Sequence, residues 1–165
     1  MIDKDEFCER IDTLQNAMYS LAYSIVRNEE DACDVVGEAI LRAYSSLEQL
    51  WNPRAFKTWI LRIVHNTAVD YLRKQSHLTD VEDIEVYADR SEEEAVDEAS
   101  RLLLREAVDG LKQPYRTVVT LFYYEGLPTT KIAQITGVSV VTVRKQLFRA
   151  RKQLRERLKQ EDFTR

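Results

Sequence analysis

The stretch TTKIAQITGVSVVTVRKQLF, residues 129–148, decides how this chain is read. Within it Ala133, Gly137 and Val143 fall four and six apart. Two helices that cross closely need those types: a small residue at the approach, glycine where the turn takes a positive φ, and an apolar residue that buries the second helix. Ile132, Ile135, Val138 and Leu147 are expected to complete the shared core, and Ser139 is placed to cap a second helix from Val140 to about Leu158. The stretch therefore predicts a helix-turn-helix. The apolar side of the second helix (Val143, Leu147, Ala150, Leu154, Leu158) leaves a long basic side free. Eight Lys or Arg between Val140 and Lys159 face only Glu156, a composition suited to binding phosphates through release of counterions. Thr142, Arg144, Lys145, Phe148 and Arg149 lie toward its N-terminal half, where base edges are reached. Arg151, Lys152 and the basic residues beyond them would mainly hold phosphates. The plainer alternative is a solvated basic helix beside an ordinary turn.

Working outward, charge sorts by position. Residues 1–110 hold 12 Lys/Arg against 24 Asp/Glu, and residues 111–165 hold 12 against 4, so the net −4 of the chain conceals −12 and +8. A basic end on an acidic protein points to a local anionic partner such as DNA, which the whole-chain balance would have argued against.

Only four Gly and three Pro occur, no Asn-Gly pair is present, and the one Asp-Gly, Asp109-Gly110, lacks the flanking apolar/polar alternation of a hairpin. An all-α fold is expected. Phe7, Ile11, Leu14, Met18, Leu21 and Ile25 recur at helical spacing over residues 6–25. Ala32, Val35, Val36, Ala39, Ile40, Ala43 and Leu47 do the same over 30–47. Proline at 53 disfavours helix at the residue before it, so a loop belongs at Trp51-Asn52-Pro53. A third helix follows to Lys74 along Phe56, Trp59, Ile60, Ile63, Val64, Thr67, Ala68, Tyr71 and Leu72. These three helices predict a small bundle over residues 1–75. From 76 to 100 ten carboxylates face only Arg90, which predicts an acidic linker. A second helical domain is expected over 101–165.

The 44% apolar content is enough for a core, and no apolar run reaches the length of a membrane span. The charged first ten residues lack a signal-peptide apolar region, so the expected location is the cytoplasm. Cys8 and Cys33, 25 apart and away from His65 and His77, read as two buried or half-buried structural thiols, with neither metal nor cofactor expected.

The residues then carry a resemblance. EEDACDVVGEAILRAYSSLEQLWNPRAFKTWILRIVHNTAVDYLRK (29–74) closely resembles the core-binding and promoter-melting region of the extracytoplasmic-function sigma factors. Val118 onward, through YYEGLPTTKIAQITGVSVVTVRKQLFRARKQLRE, resembles the region of that family that binds the upstream promoter element. The resemblance implies two small helical domains and a protein that catalyses nothing itself. It implies core RNA polymerase and promoter DNA as partners, no small-molecule substrate, an anti-sigma factor as inhibitor, and contact with a membrane only through that inhibitor. It also implies that the helix over 31–47 docks on polymerase, with Asp34, Glu38 and Arg42 as polar contacts sharing one face. One departure is Gly37, where the family commonly has glutamine. Strand contacts to the minus-ten element carry over to Lys57, Arg62, Asn66 and Arg73, with a base pocket in the loop from Ser46 to Pro53. Phe56 and Trp59 are core residues by spacing, with stacking on bases the lesser reading. For the acidic segment the family implies passage through the RNA exit path; a plain tether reads equally well.

Other classes fit less. A DNA-binding regulator with an output domain like that of the response regulators would need a sensor domain with strands or a phosphoacceptor aspartate at a strand end, and residues 1–75 offer neither. A nuclease or recombinase would need clustered carboxylates or a nucleophile beside a base. A helical module that binds only protein would leave the basic helix unexplained.

Overall fold

The computed structural model describes residues 1–78 and 98–163; the middle of the acidic segment and the last two residues lie outside the described part. Among the described residues there is no strand. The chain divides into two helical units.

The first unit is three helices, α1 (Lys4–Val26), α2 (Glu29–Ser45) and α3 (Phe56–Leu78), each packed on the other two. Side-chain caps start the first two. Asp3 accepts from the Glu6 N–H at 2.8 Å and Asn28 from the Asp31 N–H at 3.0 Å, satisfying donors that have no partner within the helix. Between α1 and α2 only Arg27 and Asn28 intervene, and Arg27 takes φ +60°, which closes the corner. The apolar spacings meet as expected: Phe7, Ile11, Met18, Leu21, Val35, Ala39, Phe56, Ile60, Val64 and Ala68 are buried, and Leu61 joins them. Leu72 is the exception on α3, exposed past the end of the bundle's core.

Two polar braces tie α2 to α3. Arg42 Nη1 donates to Asp70 at 3.2 Å and to the buried Thr67 hydroxyl at 3.3 Å, while its Nη2 donates to Glu38 at 2.6 Å. Nearer the start of α2, the Tyr71 hydroxyl donates to Asp31 at 2.6 Å. A third contact pins the loop before α3: Arg10 donates to the Pro53 carbonyl at 2.6 Å and lies over the Phe56 ring. That loop is two short 3₁₀ turns, Leu47–Gln49 and Pro53–Ala55.

The second unit comprises α4 (Glu98–Asp109), α5 (Tyr115–Val119) with a π-helical turn over Thr120–Tyr124, α6 (Thr129–Thr136) and α7 (Val140–Phe163). Ala107, Val108 and Leu111 pack with Val119 and with Ala150 and Leu154 of α7. The helix-turn-helix forms in the expected register. Gly137 takes φ +78° in the turn, and Ser139 Oγ accepts from the Thr142 N–H at 3.1 Å. Val143 and Leu147 are buried, as are Ile132 and Ile135. Val138 departs from the expected core: the left-handed turn at Gly137 carries it outward, and it stays exposed. The α7 helix runs five residues beyond the expected Leu158.

Both cysteines are free and exposed, which corrects the expectation of buried thiols: each follows a buried neighbour, Phe7 or Ala32, onto the outer line of its helix.

The Tyr71–Asp31 bond links stability to pH. The carboxylate accepting its proton, and then burial, push the Tyr71 hydroxyl up to about 12. Because the folded value lies above the unfolded one of about 10, the contribution is complete below pH 10 and disappears as pH rises toward 12. Tyr71→Phe is therefore expected to lower stability by about 1 kcal/mol near neutrality. Urea titrations of the two proteins are expected to converge between pH 10 and 12, and a gap unchanged over that range would remove this bond from the account.

Candidate nucleic-acid and polymerase interfaces

On the first unit, α2 turns an outer face to solvent. Asp34 and Glu38 are exposed on it, and nothing lies within 4 Å of the position a Cβ at Gly37 would take. Leu41, one turn on, is 70% exposed, and Tyr44 half exposed. Leu41 and Tyr44, three residues apart, are thus neighbouring exposed apolar side chains on a helix whose other aliphatic residues are largely covered. Arg42 differs from its expected partners. Its guanidinium turns toward α3 and is spent on Asp70, Thr67 and Glu38, so of the three expected docking residues Arg42 braces the bundle, Glu38 is exposed but paired with it, and Asp34 is exposed on the outer face.

Between α2 and α3 runs an open groove of about 500 Å³ lined by Glu38, Leu41, Arg42, Ser45, Ser46, Ile63 and Asn66. Leu41 and Ile63 contribute its apolar lining, and the remaining residues its hydrogen-bonding groups. Of the residues expected to contact the minus-ten strand, Arg62, Asn66 and Arg73 are exposed and share one line of α3 within roughly 40° at about 100° per residue. Lys57 is half-buried and stands about 140° from Arg62, so the helix does not bring it to that line. Phe56 is a core residue, buried between Phe7 and Trp59 with ring centroids 5.9 and 5.7 Å away. Trp51, 94% exposed in the loop that Arg10 pins, presents an open aromatic ring. Sequence reasoning passed over it, because its place beside Asn-Pro marked only a turn.

In the second unit, α7 is fixed by one line of side chains: Val143, Leu147, Ala150 and Leu154. At about 100° per residue, Lys145 and Lys152 lie within roughly 10° of the opposite line, Val141 about 30° from it, and Phe148 and Arg149 about 50°. Thr142, Arg144 and Arg151 flank this face at about 70°, 90° and 110°. Lys145, Phe148, Arg149 and Lys152 thus form one exposed cationic strip with an aromatic ring in it. Thr142 is half-buried, its hydroxyl 2.9 Å from Ser139 Oγ in the cap. Arg151 folds sideways: its Nε donates to the Tyr123 hydroxyl at 2.6 Å, and its guanidinium lies over the Phe122 and Tyr123 rings, 5.5 and 5.7 Å from their centroids. Arg157 likewise turns back on α4, where a Cβ at Gly110 would collide with its guanidinium. Neither contact was visible in the spacing of basic residues. Val141, 59% exposed, was not anticipated as a site residue either.

Among the described residues no group of three or more His, Cys, Asp or Glu is arranged to hold a metal ion, and no helix is long and apolar enough to cross a membrane.

A bundle with a contact face and a groove, followed by a helix-turn-helix with a cationic reading strip, is the architecture of a transcription initiation factor. Residues 11–78 match the family model for Sigma-70 region 2, and residues 101–154 that for Sigma-70 region 4. The chain is 40% identical over 148 residues to the RNA polymerase sigma factor SigV of Bacillus subtilis, covering 88% of this chain and 87% of that one. It is 32% identical to the ECF RNA polymerase sigma-E factor of Haemophilus influenzae over 94% of this chain and 89% of the relative. Among solved structures, the sigma factor RpoE of Bartonella quintana, crystallised with the anti-sigma factor NepR, shares the fold with a TM-score of 0.80 at 22% identity, over 93% of this chain and 97% of that one. CnrH in complex with the cytosolic domain of CnrY does so with 0.68 at 23% identity, over 95% and 90%. The chain belongs to the extracytoplasmic-function sigma factors of the sigma-70 family.

The aromatic seat of Arg151 yields an expected outcome. Arg151→Ala is expected to destabilise the second unit by about 1 kcal/mol, the weight of a partly exposed cation–π contact, and to leave the salt dependence of DNA binding as it was. A salt slope reduced by about one, with unfolding unchanged, would instead put Arg151 on a phosphate.

Proposed function

We propose that this chain acts as an alternative sigma factor in which the first unit binds core RNA polymerase and holds melted minus-ten DNA, while α7 reads the minus-thirty-five duplex. The observation that carries the residue-level reading is the cationic strip on α7, set opposite the line that buries the helix. A helix anchored along one side and basic along the other can enter a major groove without disturbing its own core. Lys145, Arg149 and Lys152 project from the centre of that strip, with Phe148 among them; Arg144 and Thr142 reach the groove edge. Arg149 makes the base-reading contact and Lys152 a phosphate contact, while Arg151 contributes by holding α7 against Tyr123.

On the first unit, Asp34 and Glu38 meet polymerase, Leu41 supplies the apolar part of that contact, and Arg42 holds the docking helix in place. Gly37 leaves the face without a side chain at its middle, so the partner backbone can approach closely there. The strand follows Arg62, Asn66 and Arg73, with Lys57 serving a phosphate at the start of α3. The groove beside Asn66, lined by both apolar and hydrogen-bonding side chains, is suited to an unstacked base, and Trp51 offers a ring on which a neighbouring base can stack. The work is done in the cytoplasm, with residues 76–100 as the connection between a domain over 1–75 and one over 101–165. An anti-sigma factor holds the free protein inactive; RpoE of Bartonella quintana was solved with the anti-sigma factor NepR, and CnrH with the cytosolic domain of CnrY.

Run-off transcription by core RNA polymerase on a pool of genomic fragments tests this function. Specific transcripts are expected only when the protein is added; DNA binding without transcripts would contradict it. In the same assay Arg149→Ala is expected to weaken discrimination at the upstream element by roughly 1 to 3 kcal/mol. Replacing Asp34 and Glu38 together by alanine is expected to lower affinity for core polymerase with helical content intact. Full holoenzyme assembly by that variant would refute the docking face.

A further inference from the structure

The exposed side chains of α7 include two large apolar ones among the cationic residues, Val141 and Phe148, and the first has no role in the fold. Val141 is in the first turn, 59% exposed, two residues before the buried Val143. It stands on the outward side of the helix, between the lines of Lys145 and Phe148. A β-branched residue on an open helical surface loses rotamer freedom and gains no burial, so packing within this unit does not account for it. The position is also the part of a recognition helix that enters deepest, immediately after the Ser139 cap. In the major groove one surface is apolar, the C5-methyl group of thymine, and a short branched aliphatic side chain is its natural complement. Val141 carries no hydrogen-bonding atom beyond its backbone and cannot read any other base edge.

We propose that Val141 is a specificity-determining residue that packs on the C5-methyl of a thymine in the upstream promoter element. The inference rests on the reading of α7 as the helix that enters the major groove. Phe148 lies seven residues further on, a rise of roughly 10 Å, or three base-pair steps of about 3.4 Å. The two apolar side chains therefore bracket Lys145 along the helix, with Arg149 one residue past the second, and the element contains a thymine at the end met by the start of α7. Removing that methyl, or the valine, withdraws one small apolar contact and leaves the ionic contacts alone.

The test uses the full chain assembled with core RNA polymerase and an upstream duplex recovered from a randomised pool. Each thymine of the recovered element is replaced singly by deoxyuridine, which deletes only the methyl group, and binding is compared for the native protein, Val141→Ala and Val141→Thr. At one thymine the native protein is expected to lose affinity by roughly three- to tenfold on losing the methyl. Val141→Ala is expected to be indifferent to deoxyuridine at that position and sensitive at others, and Val141→Thr, which keeps a methyl, to retain the native response. Because Val141 is exposed, unchanged thermal unfolding of both variants is expected. Equal sensitivity of the native protein and Val141→Ala at every thymine, or a recovered element with no thymine, overturns the inference. A pool from which no duplex is enriched overturns the promoter-reading function itself, a result distinguishable from the first because the native protein would then bind no element.

Discussion

Burial of a single line of side chains on α7 governs the second unit. Val143, Leu147, Ala150 and Leu154 follow one another at four, three and four residues, and all are covered. With that line committed to the core, helical geometry leaves the opposite line no partner within the fold, and there the sequence places Lys145, Lys152 and Val141. The same constraint sets what α7 can bind. A cationic strip with two apolar side chains suits the major groove of DNA, where phosphates flank thymine methyls and hydrogen-bonding base edges. The Ser139 cap and the left-handed Gly137 fix where the helix begins, and so which residues lead it into the groove.

The first unit solves a related problem with polar braces. Its apolar stripes bury the three helices together, and polar side chains cross the seam between α2 and α3. Arg42 on Asp70 and Thr67, and Tyr71 on Asp31, fix that seam and hold open the groove beside Asn66. Each brace is partly solvent-exposed, so its stabilising effect is modest and its geometric effect the larger one. The loop carrying Trp51 is held similarly by Arg10 on the Pro53 carbonyl, which keeps an exposed indole in a defined place without burying it.

What the amino-acid sequence discloses and what it hides divide along physical lines. Periodicity is a local property, so α1, α2, α3 and α7 were legible from apolar spacing, as were the Ser139 cap and the positive φ at Gly137. Long side chains choose partners far along the chain, and no spacing rule reaches them. Arg42 finds Asp70 across 28 residues, and Arg151 finds Tyr123 across the same separation. Both were read as surface contacts because their charge was visible and their partners were not. The expected core differs from the structure where a turn redirects the chain, as at Val138, and apolar spacing says nothing of residues on an outer face, as at Leu41, Trp51 and Val141. Composition marks such residues as core, and only the packed helices reveal that nothing covers them. The carried-over strand contacts divided on register: Arg62, Asn66 and Arg73 share a line, and Lys57 falls off it.

The central claim is that a chain with these two units lets RNA polymerase open duplex DNA at chosen places. Permanganate reactivity of thymines measures it most directly, because unpaired thymines react and paired ones are protected. With core polymerase and a promoter fragment, addition of the protein is expected to expose a short run of reactive thymines at one site downstream of the duplex gripped by α7. Protection of that upstream duplex with every downstream thymine still paired would contradict the account, leaving a DNA-binding protein that does not open promoters.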